Sequence, residues 1–173
     1  MAASNYEREL KSILMGDKNT IDMVTKTCSE EEKEKYYKIL KKPFIVVRAA
    51  GSYGVDLVGV RSDISLLIEI KSSKSRKIHF SSTGGKLQKQ AERMKKDCER
   101  AGVLPIYAFR LKNTRGDAWR VFTFSMETNG LNGLAKRFYS KLPRLRLTKD
   151  RNLIMDWDEG MPLSDFIDMV VPL

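Results

Sequence analysis

The chain has 173 residues, enough to bury one sizeable core, and its 32 Lys and Arg against 22 Asp and Glu leave a net charge of +10. That excess favours polyanionic partners, nucleic acid before an anionic membrane. No apolar run approaches the ~20 residues that span a bilayer, MAASNYEREL lacks a signal-peptide core, and Cys28 and Cys98 lack metal-type spacing. The expectation is a reduced, cytoplasmic protein without membrane association.

Residues Tyr6 to Met15 place Tyr6, Leu10, Ile13 and Leu14 on one face of a helix that Gly16 ends. Glu7 and Glu9 flank that stripe on opposite shoulders, and periodicity does not choose between them. One or two further helical pieces are predicted over 17–42. Ser29 and Glu32 form a capping box, and Pro43 is the stop. FIVVR (44–48) reads as a buried strand and AAGSYG (49–54) as a loop. Two strand-like runs follow, VDLVGV and SLLIEIK, joined by Arg61-Ser62-Asp63-Ile64. Beyond them lie a polar connector (HFSSTGG) and a helix with Leu87, Ala91, Met94, Cys98 and Ala101 on one face, stopped by Gly102. VLPIYAFRL and WRVFTF are predicted to pair as a hairpin across NTRGD. The last fifty residues suggest another hairpin (LRLT, KDRN, LIMDW) and a closing amphipathic helix (PLSDFIDMV). No linker or repeat divides the chain, so 1–173 reads as one domain.

The anomaly is charge inside the central pair of strands. Asp56 lies in the first, and Glu69-Ile70-Lys71 follows after twelve intervening residues. Glu69 and Lys71, two apart, share a strand face. A tight turn at Ser62-Asp63 would set Asp56 directly opposite Glu69, with Cβ atoms ~5 Å apart, where like charges repel. Such a pair calls for a cation, and a hard divalent metal suits oxygen ligands. A metal held there could stabilise charge on a phosphodiester under attack, with Lys71 adding a positive charge and the Ile70 carbonyl a further ligand. A turn residue at Asp56 and a solvated pair at Glu69 and Lys71 would satisfy the same spacing.

YEREL, VVRAAGS, VDLV, IEIKSSK and PIYAFR, in that order, resemble the archaeal Holliday junction resolvases of the restriction-endonuclease-like PD-(D/E)XK nuclease superfamily. The resemblance covers roughly residues 5–15 and 43–124. It implies an α/β fold with a mixed central sheet flanked by helices, a nuclease core over about 5–124 and a C-terminal extension over about 125–173. It also implies a homodimer that nicks opposed strands of a four-way DNA junction with Mg²⁺, Mn²⁺ substituting, in recombination and repair. Recombination or replication accessory proteins are further expected partners. The metal-binding acids would be Glu7, Asp56 and Glu69, with Lys71 catalytic and Ser52 the serine of the loop near the site. Arg8 and Arg48 would contact phosphate.

An ungapped alignment would put Glu32 rather than Glu7 at the helix position. Gln90, more than Gln88, suits a glutamine that relatives often carry near the site. Residues 71–96 hold nine Lys or Arg against one acid, Glu92. Lys74, Arg76, Lys77, Lys86 and Lys89 are the expected DNA contacts among them. Residues 136–151 hold seven against Asp150, in a pattern that alternates like strands and suits either DNA contact or a dimer rim. Two other readings stand beside this one: a different nuclease of the superfamily cutting duplex or flap DNA, and a non-catalytic DNA-binding protein.

Overall fold

The first apolar stripe folds as its spacing predicts, in a computed structural model that describes residues 3–49, 54–80 and 85–172. Helix α1 (Ala3–Leu14) buries Tyr6, Leu10, Ile13 and Leu14, and Gly16 ends it with φ of +77°, a left-handed turn that glycine adopts without strain. Helix α2 (Lys18–Val24) starts at Asp17, whose carboxylate accepts from the Thr20 N–H. Helix α3 (Glu30–Tyr37) carries both halves of the Ser29–Glu32 capping box and tightens into a 3-10 turn over Lys38–Lys41.

The strands follow: β1 (Ile45–Arg48), β2 (Leu57–Val60), β3 (Ser65–Ser73) and β4 (Lys77–His79), then α4 (Lys86–Ala101), β5 (Leu104–Leu111) and β6 (Trp119–Phe122). The C-terminal part holds α5 (Gly133–Lys141), β7 (Arg146–Leu147), β8 (Leu153–Asp156), β9 (Met161–Pro162) and α6 (Leu163–Val170). One sheet runs β1-β2-β3-β5-β6-β9 and a smaller one β4-β8-β7. Only β3 and β5 pair in parallel within the larger sheet, with α4 as the crossover between them. The architecture is thus a mixed central sheet flanked by helices.

The predicted register holds. Leu57 faces Ile68 and Val60 faces Ser65, which closes the β2–β3 hairpin on Ser62 and Asp63. Arg61 and Ile64 exchange backbone hydrogen bonds of 3.1 and 3.3 Å across that turn. Strand alternation then divides the core into two layers. Leu66, Ile68, Ile106 and Ala108 face α1, α5 and α6, whereas Tyr107 and Phe109 face α4 and the small sheet.

Two expectations need correction. FIVVR is not a buried strand: Val46 points inward, but Ile45 is 66% and Val47 56% exposed, because β1 is an edge and, among the described residues, no helix covers that side of it. Nor does 136–151 begin as strand. Asn132 caps the Ala135 N–H, and α5 turns Ala135, Phe138 and Tyr139 inward. Those three sit at helical spacing, which Pro143 and the leucines after it obscure. The hairpin predicted beyond them is present as β7 and β8.

The segment 16–42 and the C-terminal part cover each other. Tyr36 donates to the buried Asp117 at 2.7 Å, and the Ser164 N–H at the start of α6 donates to the same carboxylate at 2.9 Å. Lys35 pairs with Asp165 at 2.8 Å, and Lys38 with Asp168.

Candidate active site

Asp56 sits one residue before β2, at the point where the β2–β3 ladder ends. Its N–H still donates to the Ile68 carbonyl at 3.0 Å, and its carboxylate accepts from the Ile70 N–H at 2.7 Å. The N–H and C=O of one strand residue point to the same side, so the Ile70 carbonyl faces the Asp56 side of β3. Just beyond the last hairpin pair, Leu57 with Ile68, the side chains of Asp56 and Glu69 meet in one cleft. Glu69 is 4% exposed, and its Oε1 accepts from Lys71 Nζ at 3.1 Å. Lys71 Nζ also reaches Gln90 Oε1 on α4 at 3.4 Å, and Gln90 Nε2 donates to the Gly54 carbonyl at 2.8 Å. Gln90 thereby bridges the lysine and the loop beside it, while Gln88 accepts from the Leu153 N–H at 3.1 Å on the other shoulder of the helix.

These groups open on a cleft of about 440 Å³ lined by Glu7, Arg48, Asp56, Glu69 and Gln90 among others. Glu7 enters it from α1 and accepts from Arg48 Nη2 at 2.9 Å. Glu32 does not line this cleft; its side chain accepts from the Ser29 N–H at 2.8 Å in the α3 cap. Glu9, on the opposite shoulder of α1, accepts from Arg110 and from Trp119 Nε1 at 2.8 Å, a structural role.

Burial dominates the electrostatics. It pushes Glu69 up from 4.5 to about 7, against the pull of Lys71 and with the nearby Asp56 adding to the rise. Burial also raises Asp56, offset by the Ile70 N–H. The two carboxyl groups are within hydrogen-bonding reach of each other when one holds a proton. Glu69 Oε2 is buried without a hydrogen-bond partner. A buried carboxylate oxygen left bare beside a second carboxylate is what a bound cation satisfies, so these residues fit a hard divalent metal. Among the described residues no group of three or more acids, His or Cys is already gathered to hold a metal, and Glu7 and Glu69 are each paired with a cation, Arg48 and Lys71.

Of the other expected site residues, Ser52 lies outside the described residues. Arg8, Lys74, Lys86 and Lys89 are exposed, the last two beside the recess that Gly54, Gln90 and Arg93 share with the cleft. Arg76 pairs with Asp158 and lies over the Trp157 ring, and Lys77 approaches Asp156 at 3.9 Å. Reading the sequence missed Tyr107. It faces Glu69 across the parallel register, and its hydroxyl is buried without a partner. Burial and the charges of Glu69 and Asp56 raise its pKa well above the ordinary value. An aromatic residue in an apolar strand gives no sign of this until the register is known.

The family model described as archaeal Holliday junction resolvase (Hjc) matches residues 23–137. Among solved structures, that of Archaeoglobus fulgidus Hjc, a Holliday junction resolvase from an archaeal hyperthermophile, is similar at 20% identity. The likeness covers 72% of this chain and 81% of that one, with a TM-score of 0.48. No curated protein matches the chain. The family match takes in Glu32 and leaves out α1 with Glu7, so the place of Glu7 rests on the geometry of the cleft.

Proposed function

Because the chain belongs to the archaeal Holliday junction resolvase family, and is thus a junction-resolving nuclease, we propose that it cuts opposed strands of four-way DNA junctions with Mg²⁺ in the cleft of Asp56 and Glu69. The observation that carries this reading is the pairing of two buried carboxyl groups, one with a bare oxygen, beside the ammonium of Lys71. Asp56, Glu69 and the Ile70 carbonyl would hold the metal, and Glu7 joins them when Arg48 turns to a phosphate. A divalent cation bound there neutralises charge building on the phosphoryl oxygens and acidifies a water.

The protein's own groups do the rest. Gln90 fixes Lys71, so its ammonium stays beside the phosphate and orients the attacking water. Arg48 exchanges Glu7 for a phosphate oxygen, which positions the strand, since an arginine can grip two oxygens at once. The Ile70 N–H holds the Asp56 carboxylate in one orientation.

A junction has near two-fold symmetry, and a homodimer meets it with two such clefts. The dimer reading is supported by Ile45, Val47 and Val60, exposed side by side on the open edge of the large sheet.

Mapping cuts on an end-labelled immobile junction tests the reading. With Mg²⁺, symmetric nicks in two opposed strands are expected, and linear duplex and flap of the same sequence should stay intact. Glu7→Gln should abolish cutting and Glu32→Gln preserve it. Equal cutting of duplex and junction would move the protein to another class of nuclease. Junction binding without cleavage in Mg²⁺ or Mn²⁺ would overturn the catalytic reading.

A further inference from the structure

The charge of +10 is unevenly neutralised. On the face formed by the 16–42 segment, lysines are matched with acids: Lys18 with Asp22, Lys33 with Glu30, Lys35 with Asp165, Lys38 with Asp168 and Lys42 with Asp63. On the outer face of α4 they are not. Lys89, Arg93, Lys96 and Arg100 are all exposed and recur at intervals of four, three and four, so they form one stripe along the helix, opposite the buried Ala91, Met94 and Cys98. No ion pair holds any of these four among the described residues. Three acids lie on this helix, and none pairs with the stripe among the described residues: Glu99 accepts from the Glu127 N–H at 2.6 Å, Glu92 lines the groove beside Lys95, and Asp97 borders the stripe between Arg93 and Arg100 without an ion pair to either.

The stripe starts at the cleft. Arg93 and Lys89 border the recess that contains Gly54 and Gln90, and Gln90 is the residue that holds Lys71. At ~1.5 Å per residue, the sixteen residues of α4 extend roughly 24 Å, about seven base pairs of duplex. On its other shoulder α4 meets the β7–β8 hairpin across a groove of about 340 Å³, where Lys95 and Arg151 line opposite walls. The hairpin tip is fixed. Thr148 N–H donates to the Asn152 carbonyl at 2.8 Å, Arg151 N–H to the Thr148 carbonyl at 2.9 Å, and Arg151 sits at φ of +62°. Arg151 and Lys149 are exposed there and form no ion pair among the described residues, with Asp150 between them.

We propose that the outer face of α4 and the β7–β8 tip form a track for the phosphate backbone of one duplex arm, leading away from the cut. The proposal rests on the junction-cutting reading and adds to it a contact supplied by residues 144–156, beyond the family-matched segment 23–137. Unpaired cations at helical spacing read charge and not sequence, so the partner is duplex DNA of any sequence.

The test is the full-length variant Lys96→Gln, Arg100→Gln, Arg151→Asn. It leaves the cleft intact, and asparagine tolerates the positive φ at 151. At about 0.1 M salt, Kd for a junction with arms of about fifteen base pairs should rise about tenfold or more, and the salt slope should fall by roughly two to three, near 0.9 per lost phosphate contact. On arms cut to about four base pairs, variant and wild type should bind alike, and single-turnover cleavage at saturating protein should be unchanged. A third form, with Lys96→Arg in place of Lys96→Gln, should recover part of the affinity. Equal affinity and slope on the long arms would overturn the track. If wild type cuts no junction, the cleavage reading fails on its own, while the arm-length comparison still reports on the track.

Discussion

Burial beside Asp56 disfavours the bare charge of Glu69, and the consequences for the metal-free protein have a definite sign. The carboxyl of Glu69 is raised from 4.5 to about 7 on folding, so the folded state binds its proton more tightly than the unfolded chain does. The associated stability is fully present below about pH 4.5 and is lost as pH rises through 7. Glu69→Gln keeps the shape and removes the titration. In metal-free buffer it should melt higher than wild type at pH 8, by roughly 1–3 kcal/mol of unfolding free energy, and close to wild type at pH 5. The same variant should not cut junctions. Divalent metal should narrow the pH 8 gap by stabilising wild type alone, since binding to the folded state adds stability by mass action. Thermal melts at the two pH values, with and without Mg²⁺, check all three. A variant no more stable than wild type at pH 8 would mean that the buried carboxylate is not strained.

At the scale of elements, the hairpin and the helix faces were legible because each is set by local pattern. Ser62-Asp63 fixes the register that brings Asp56 and Glu69 together, and Tyr6, Leu10, Ile13 and Leu14 fix which way α1 turns, while Glu7 came from the resemblance and not from the pattern. What the sequence hid depends on contacts distant along the chain. Glu7 and Glu9 are equivalent by periodicity and separate only because Arg48 meets one and Trp119 the other. Tyr107 acquires its unpartnered hydroxyl from β5 lying parallel to β3. The same limit explains β1, whose apolar run looks buried in sequence but lies at an edge. Its exposed face supplies the next prediction. Val47→Glu places a charge between Ile45 and the cleft-facing Arg48 without touching the inward Val46. If a second copy covers this edge, the variant should run as a monomer in size-exclusion chromatography with light scattering, its thermal stability reduced only by the lost association. A variant that stays dimeric places the interface elsewhere.

For the molecule as a whole, the 16–42 segment and the C-terminal part act as one layer. Helix α3 comes from the 16–42 segment and α6 from the C-terminus, yet they meet over Asp117, which belongs to the turn between β5 and β6. Burial raises the Asp117 carboxyl, and the Tyr36 hydroxyl and Ser164 N–H are its main compensation. Tyr36→Phe removes one donor and leaves a buried carboxylate oxygen unpaired, which costs about 1–3 kcal/mol. If the layer folds with the core, urea unfolding should remain a single transition with unchanged slope and a lower midpoint. Protease sensitivity should then rise in α3 and α6 together. If the layer is a separate appendage, an early second transition should appear and the core midpoint should not move. Asp117→Asn with Tyr36→Phe supplies the control: the amide removes the buried charge, so the pair should cost less than the sum of the two single variants, as groups in direct contact do. Junction cutting should survive each of these variants at a temperature where the protein is folded, because neither side chain lines the cleft of Asp56 and Glu69.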